Sequence, residues 1–257
     1  MADCFEGVAR SVRDALGAVS PDRGAALGAL TGRRQGQYGL DVVADELVVA
    51  PLRAAGMSVL SEETGWHGPH GGPRVVVAVV DPVDGSTNAA KGLPWSACSL
   101  CAVDEHGPWV AVVVDLARGT TYRAVRGAGA TRDGERLPLR AAVAVDEAVV
   151  GVNGGDGRRP PGWQVRALGC AALELCAVAD GGLDGYVNLD VGGHGPWDYL
   201  GGVLVAAEAG VPAVDRRGRD LTELGHDVRR EVVAAAGAEL LEALAMHGAD
   251  VGTGGSE

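Results

Sequence analysis

Val79-Val80-Asp81-Pro82-Val83-Asp84-Gly85-Ser86-Thr87-Asn88 is the stretch on which the reading of this 257-residue chain turns. An apolar run that reads as a buried strand passes straight into two aspartates three residues apart, then into glycine and three small polar residues. Pro82 fixes the backbone between the carboxylates and removes an N–H there. If the chain turns at that point, both carboxylates and the Val83 carbonyl can converge on one spot. Gly85, Ser86 and Thr87 then offer N–H groups and hydroxyls at what reads as a helix start, a natural seat for a phosphate oxyanion. Hard oxygen ligands beside such a seat suit Mg²⁺. Taken alone, the same stretch is equally well a strand-to-turn junction whose aspartates cap the turn.

Two further stretches change the balance. Ser61-Glu62-Glu63-Thr64-Gly65 closes a short apolar strand, Met57-Ser58-Val59-Leu60-Ser61; in isolation it would be an ordinary solvated turn. Gly195-Pro196-Trp197-Asp198-Tyr199-Leu200-Gly201-Gly202 runs into a helix rich in small residues and ending in Glu208-Ala209-Gly210, where Asp198 by itself could be a helix cap.

In this order and spacing the three stretches resemble the inositol monophosphatase family, within the superfamily of metal-dependent, lithium-sensitive sugar phosphatases. Glu62-Glu63 stands at the family's Glu-Glu motif. Residues Asp81 to Asn88 stand at its Asp-Pro-(Ile/Leu/Val)-Asp-Gly-(Thr/Ser)-x-Asn motif, and Trp197-Asp198 at its third. The resemblance implies a layered αβαβα sandwich, Mg²⁺ as cofactor and a homodimer. It implies one Mg²⁺ on Glu62, Asp81 and the Val83 carbonyl and a second on Asp81, Asp84 and Asp198. A third, looser ion near Glu62 and Asp45 is usual in the family, with Asp41 as the second candidate for that role. It implies phosphomonoester hydrolysis by in-line attack of a cation-activated water, oriented by Ser86 (where the family usually has Thr) with Glu62 or Asp45. Cations rather than arginines would neutralise the developing charge.

Substrate selection is less sharply written. Arg166-Ala167-Leu168-Gly169-Cys170-Ala171 resembles the turn that opens a helix beside the substrate hydroxyls, with Cys170 in place of a hydroxyl residue and Ala171 offering only backbone groups. Inositol-specific members carry an acid on the strand before the Trp-Asp motif; here Asn188 or Asp190 stands there. His194, in a loop about three residues longer than in the animal enzymes, either faces the leaving group or is an ordinary turn residue. The substrate-side set is thus Asp84, Gly85, Ser86, Thr87, Ala171, Asn188, Asp190, His194 and Asp198. Lys91 either reaches the phosphate or is solvated. His67 and His70 read as a solvated loop rather than zinc ligands. Trp66, Trp95 and Trp163 are the aromatic residues that a nucleotide base would need as a platform.

Composition bounds the alternatives. Hydrophobic residues make up 47% and charged residues 22%, which excludes general disorder. A net charge of −12 with no long Lys/Arg cluster argues against nucleic acid as a partner. No apolar run approaches the roughly 18 residues of a membrane span, and the start lacks a basic segment leading into an apolar one, so the chain reads as cytoplasmic. Five cysteines fit reduced thiols. Cys98-Ser99-Leu100-Cys101 lies within a strand, where residues three apart face opposite sides.

The element pattern runs from an amphipathic helix (Phe5, Val8, Ala9, Val12, Leu16, Val19) and a helix over 41–55 interrupted by Pro51 to strands over 74–80, 97–103 and 109–115. Antiparallel strands over 119–130 follow. Beyond a break at 140–147, strands and helices alternate. This predicts an α+β unit over 1–140, carrying the Glu-Glu and Asp-Pro-x-Asp-Gly motifs. An α/β unit over 141–257 carries the Trp-Asp motif and the substrate-side loops.

The function expected is a Mg²⁺-dependent phosphomonoesterase of a small polyol phosphate, such as inositol 1-phosphate or a related cyclitol or sugar phosphate. Fructose 1,6-bisphosphate, histidinol phosphate and 3′-phosphoadenosine 5′-phosphate are the alternatives within that chemistry. A non-catalytic metal- or phosphate-ligand-binding protein is the alternative outside it, disfavoured because Glu62, Asp81, Asp84 and Asp198 are all present.

Overall fold

A computed structural model describes residues 1–17, 27–31, 37–69, 75–155, 163–190 and 192–247. His70, the loop 32–36 and the chain end 252–257 lie outside the described residues.

The chain begins with α1 (Ala2–Gly17), which buries Phe5, Val8, Ala9 and Val12 on one stripe, as the spacing requires. Helix α2 (Gly39–Ala54) carries Pro51 in its last turn and ends three residues later. Its buried face unites Leu40, Ala44 and Val48 with two acids, Asp41 and Asp45.

Eight strands make the first sheet: β1 (Ser58–Ser61), β2 (Gly65–His67), β3 (Val77–Asp84), β4 (Ala97–Asp104), β5 (Gly107–Asp115), β6 (Thr121–Val125), β7 (Gly129–Arg132) and β8 (Glu135–Arg136), in the order β2-β1-β3-β4-β5-β6-β7-β8. β1 and β3 run parallel; the remaining pairs are antiparallel. A six-residue helix, α3 (Ser86–Lys91), follows β3.

The second sheet takes β9 (Val149–Gly154), β10 (Gln164–Arg166), β11 (Gly185–Leu189), β12 (Ala213–Asp215) and β13 (Val232–Ala235) in the order β10-β9-β11-β13-β12. Between them in sequence come α4 (Ala171–Asp180) and α5 (Pro196–Glu208), and α6 (Ala238–Met246) follows.

Three apolar cores separate five layers. Phe5, Val12, Ala44 and Leu52 meet Ala78, Val80, Leu100 and Val112 between α1/α2 and the first sheet. Val79, Cys101 and Val113 meet Leu175, Leu200, Val205 and Tyr186 between that sheet, α4/α5 and the second sheet. Val187, Val233, Leu240 and Leu244 close the last gap, under α6. The αβαβα sandwich is therefore the observed architecture. α4 and α5 are apolar nearly all round because they have a sheet on each side.

Cys98 and Cys101 fall in different cores, one on each face of β4, as the strand alternation dictates, and both are free thiols. Burial pushes the Cys98 thiol up to about 12, which leaves it inert.

The end of β3 differs most consequentially from the sequence reading. β3 does not stop at residue 80 but runs on through the Asp-Pro-Val-Asp motif to Asp84. The register shifts there: Asp81 pairs Ser99 and Asp84 pairs Ala97, so three steps on β3 match two on β4. Pro82, which cannot donate to a ladder, sits within this bulge.

Candidate metal and active site

The bulge is what lets two acids three apart work together. In a regular strand Asp81 and Asp84 would face opposite sides of the sheet; the extra residue re-aims one of them. Asp81 Oδ1 accepts the N–H of Val83 at 2.9 Å, which locks the turn of chain around Pro82. Asp84 Oδ2 accepts the N–H of Ala172 at 2.7 Å and the Cys170 thiol at 3.2 Å, so this carboxylate caps α4 from another element.

Glu62 occupies the three-residue turn between β1 and β2. Its N–H donates to Val80 O at 3.1 Å, one residue before Asp81. Asp198 lies in the first turn of α5, after Pro196, and its Oδ2 accepts the N–H of Gly195 at 2.7 Å. One oxygen from each of Glu62, Asp81 and Asp198 falls within 4.8 Å of the other two. Residues 136 positions apart in the chain thus form one acidic group (198 − 62).

The electrostatics of this group are unfavourable as it stands. Asp81 is pushed well above the usual carboxylate range by burial first, then by the charges of Glu62, Asp84 and Asp198. Asp84 is pushed to about 6 by burial and by Asp198, against the opposing Ala172 N–H. Carboxylates held this close want either protons or cations. An all-oxygen donor set fits a hard divalent cation and does not fit zinc-type N/S coordination.

Asp45 and Asp41 separate in role. Asp45 reaches the Glu-Glu turn: one oxygen accepts the Ser61 hydroxyl and the other the Thr64 hydroxyl at 2.9 Å. Because Thr64 spends its only hydrogen on Asp45, His67 Nε2, at 2.7 Å, donates to the Thr64 oxygen. Asp41 instead turns back on its own helix and accepts the Tyr38 N–H at 2.7 Å.

Gly85 joins the two halves. It sits at φ +80°, and a Cβ there would come within 3.0 Å of both Gly169 O and Trp95 O, so neither the conformation nor the space admits a side chain. Asn88 clamps the same junction through its Nδ2 to Trp95 O (2.9 Å) and Leu168 O (2.8 Å). Ser86 and Thr87 open α3, with the Thr87 hydroxyl 3.3 Å from Tyr38 Oη. Lys91 ends that helix, exposed.

On the second sheet, Asn188 is fully buried (0% exposed) on the face that Tyr186 shares, whereas Asp190 is exposed beyond the strand end. Asn188 Oδ1 accepts the Asp190 N–H at 2.8 Å, and its Nδ2 has no partner among the described residues. His194 is held from both ends. Its Nδ1 lies 3.5 Å from Asp198 Oδ2, and its Nε2 lies 2.6 Å from Tyr186 Oη and 3.3 Å from Asn153 Nδ2. Burial opposes its protonation, but the Asp198 contact with the Asp84 and Glu174 charges outweighs it and raises its pKa. Ala171 is the first residue of α4, beside the Asp84 cap.

Trp163 lies in the core under α6 against His247, Trp95 lies beneath Arg118, and Trp66 in β2 packs on the central core.

Two residues escaped the sequence reading. Glu174, within the apolar face of α4, is completely buried; burial drives its carboxyl to about 8, against the opposing Cys170 N–H that its Oε2 accepts at 3.3 Å. Its one signal is an acid inside an otherwise apolar helix. His226 donates from Nε2 to the Glu62 carbonyl at 3.0 Å across 164 residues, and nothing local marks it.

Fold and site together define a five-layer α/β protein with a carboxylate cluster that could hold a metal ion where its sheets meet. The sequence profile of the inositol monophosphatase family matches residues 37–250. A fructose-1,6-bisphosphatase of Pyrococcus furiosus is 30% identical over 208 residues, 80% of each chain. A fructose-1,6-bisphosphatase/inositol-1-monophosphatase of Thermococcus kodakarensis is 33% identical over 209 residues, again 80% of each. A Pyrococcus horikoshii structure, described as having similarities for inositol-1 monophosphatase, superposes with a TM-score of 0.81 at 25% identity, covering 95% of this chain and 98% of that one. The chain belongs to the inositol monophosphatase family. It is a phosphoric monoester hydrolase of small phosphate substrates, in a metal-dependent family.

Proposed function

We propose that this protein is a Mg²⁺-dependent phosphomonoesterase of a small polyol monophosphate, inositol 1-phosphate or a related cyclitol or sugar phosphate. The observation that carries the reading is the convergence of Glu62, Asp81 and Asp198 oxygens within 4.8 Å, with the Asp81 carboxyl pushed above its usual range by burial and then by the neighbouring acids. Glu62, Asp81 and the Val83 carbonyl would hold one Mg²⁺ and Asp81, Asp84 and Asp198 a second, with Asp45 beside a third. Bound Mg²⁺ supplies Lewis acidity to the phosphoryl oxygens and lowers the pKa of the attacking water.

The chain's own groups do the rest. Backbone N–H groups of Gly85, Ser86 and Thr87 cradle the phosphate. The Ser86 hydroxyl, with Glu62 or Asp45, orients the water. His194 and the Ala171 backbone, with either Asn188 or Asp190, would face the polyol end. Few Lys or Arg residues lie near the three motifs in the sequence, which supports a monophosphate over a bisphosphate. Among the described residues no helix is long and apolar enough to cross a membrane. Assembly as a homodimer belongs to the same proposal.

The test is phosphate release from inositol 1-phosphate, fructose 1,6-bisphosphate, histidinol phosphate and 3′-phosphoadenosine 5′-phosphate, with and without Mg²⁺. The expected result is Mg²⁺-dependent turnover with the highest kcat/KM on inositol 1-phosphate. The name of the Pyrococcus furiosus relative favours fructose 1,6-bisphosphate as the second reading, and a preference for it would replace the first. Absence of turnover on every ester, with Mg²⁺ binding intact, would overturn both.

A further inference from the structure

Glu62 is tied by both of its backbone polar groups, and to different parts of the fold. Its N–H reaches Val80 on β3, beside Asp81. Its carbonyl accepts from His226, in the segment that joins β12 to β13. A carbonyl oxygen can only accept, so Nε2 carries the hydrogen in this contact.

That segment is itself anchored next to Asp198. The His226 ring lies against Trp197, with centroids 5.1 Å apart and planes at 37°. The Arg229 guanidinium covers the Trp197 ring at 5.2 Å and donates to the His226 and Val228 carbonyls. A two-bond antiparallel bridge, 2.8 and 2.9 Å, pairs Arg230 with His194 just ahead of α5. On the other side, a Cβ on Gly65 would stand 3.7 Å from the His226 ring, so the imidazole fills the space over the Glu-Glu turn.

We infer that His226 is a positioning residue for metal binding: by bridging the Glu62 carbonyl to the Trp197 ring, it sets the separation of the Glu62 and Asp198 carboxylates. The physical need is plain. These two acids come from opposite walls of the site, repel each other, and must stay at ligand spacing while no cation is present. A cage of oxygen ligands accepts a divalent ion only within a few tenths of an ångström. Glu62 and Asp81 are linked through the β1/β3 ladder, and Asp198 has no such ladder to Glu62. α5 packs on the first sheet through Leu200 and Val205, and the His226 contact adds a polar tie from the Glu62 backbone to the ring beside Asp198. His226 bonds the Glu62 backbone carbonyl rather than a carboxylate oxygen, so its expected effect is on cation affinity.

This rests on the divalent-cation reading above, and the experiment keeps the two apart. The full-length protein is titrated with Mg²⁺, and binding is followed by calorimetry and by the rise in melting temperature. His226→Phe retains the ring on Trp197 and removes the donor; His226→Gln restores an N–H at a similar reach. A neutral hydrogen bond's usual net worth corresponds to about three- to tenfold in an equilibrium constant. The expected result is a Mg²⁺ half-saturation raised about three- to tenfold in His226→Phe, a metal-free melting temperature close to wild type, and recovery to within about twofold in His226→Gln. If the Phe variant does not fold, His226→Ala, at this half-buried position, carries the same expectation. Wild-type Mg²⁺ affinity in the Phe or Ala variant overturns the inference, as does equal weakening in His226→Gln. A wild-type protein whose melt ignores Mg²⁺ overturns the cation reading instead.

Discussion

Replacing Asp81 by Asn should invert the order of stability of the two proteins according to whether Mg²⁺ is present. Asp81 is 2% exposed and lies with Glu62 and Asp198 in a group whose ligand oxygens are within 4.8 Å of one another. At that separation and an effective dielectric near 20, each pair of unit charges repels by about 3.5 kcal/mol. Asn keeps the shape and still accepts the Val83 N–H that Asp81 accepts at 2.9 Å, but it removes the repulsions of Asp81 with Glu62, Asp84 and Asp198. Proton uptake by Asp81 already relieves much of this in the metal-free wild type, so the net gain is about 1–3 kcal/mol at pH 8. For a chain of this length that is roughly 2–10 °C in melting temperature. Saturating Mg²⁺ at about 100 to 1,000 times its Kd adds about 3–4 kcal/mol to the wild type, and the variant loses most of it. Differential scanning calorimetry in chelator and in millimolar Mg²⁺ therefore shows two crossing orders: Asp81→Asn higher without the metal, wild type higher with it. A variant that melts below wild type in chelator, yet gains the same increment from Mg²⁺, would refute the reasoning.

Two further outcomes follow from the helices between the sheets. Glu174 has its folded pKa raised from 4.5 to about 8, so the folded state holds a proton that the unfolded chain releases. Relative to Glu174→Gln, wild-type stability should fall by about 1.4 kcal/mol per pH unit between roughly pH 5 and 8, and no further above that. Parallel urea titrations across this range check it, and a pH-independent difference would sink it. Gly202 lies where a Cβ would come 2.6 Å from Leu175 Cβ and 3.0 Å from Ala172 O. Gly202→Ala should therefore cost about 1–3 kcal/mol by separating α4 from α5, despite the roughly 1 kcal/mol that alanine gains in helix propensity. A more stable variant in urea denaturation would contradict this.

Much of the fold was legible because its signals are local. Alternation along 97–103 and 109–115 reflects side chains reaching two different cores, and β11 (Gly185–Leu189) and β13 (Val232–Ala235) fall where their apolar runs lie. β3 ran past its apparent end because carboxylates at Asp81 and Asp84 look like a stop signal, whereas a bulge carries the strand through them. Similarly, Asp41 and Asp45 occupy one buried helix face at i, i+4 spacing, and only the neighbours they meet assign one to its own helix end and the other to the Glu-Glu turn.

From sequence alone came the acids, their order and the kind of ligand that oxygen donors beside a phosphate seat would suit. Chain chemistry decides these: residue type sets donor hardness, and proline and glycine restrict the backbone at fixed positions. Tertiary structure alone decided that Glu62, Asp81 and Asp198 share one cage while Asp84 also caps α4. It also decided that Asn188 is buried while Asp190 is exposed, and that His226 spans from the Glu-Glu turn to Trp197. Those pairings join residues tens to hundreds of positions apart, and their distances are set by how sheets and helices pack, which no local pattern in the chain encodes.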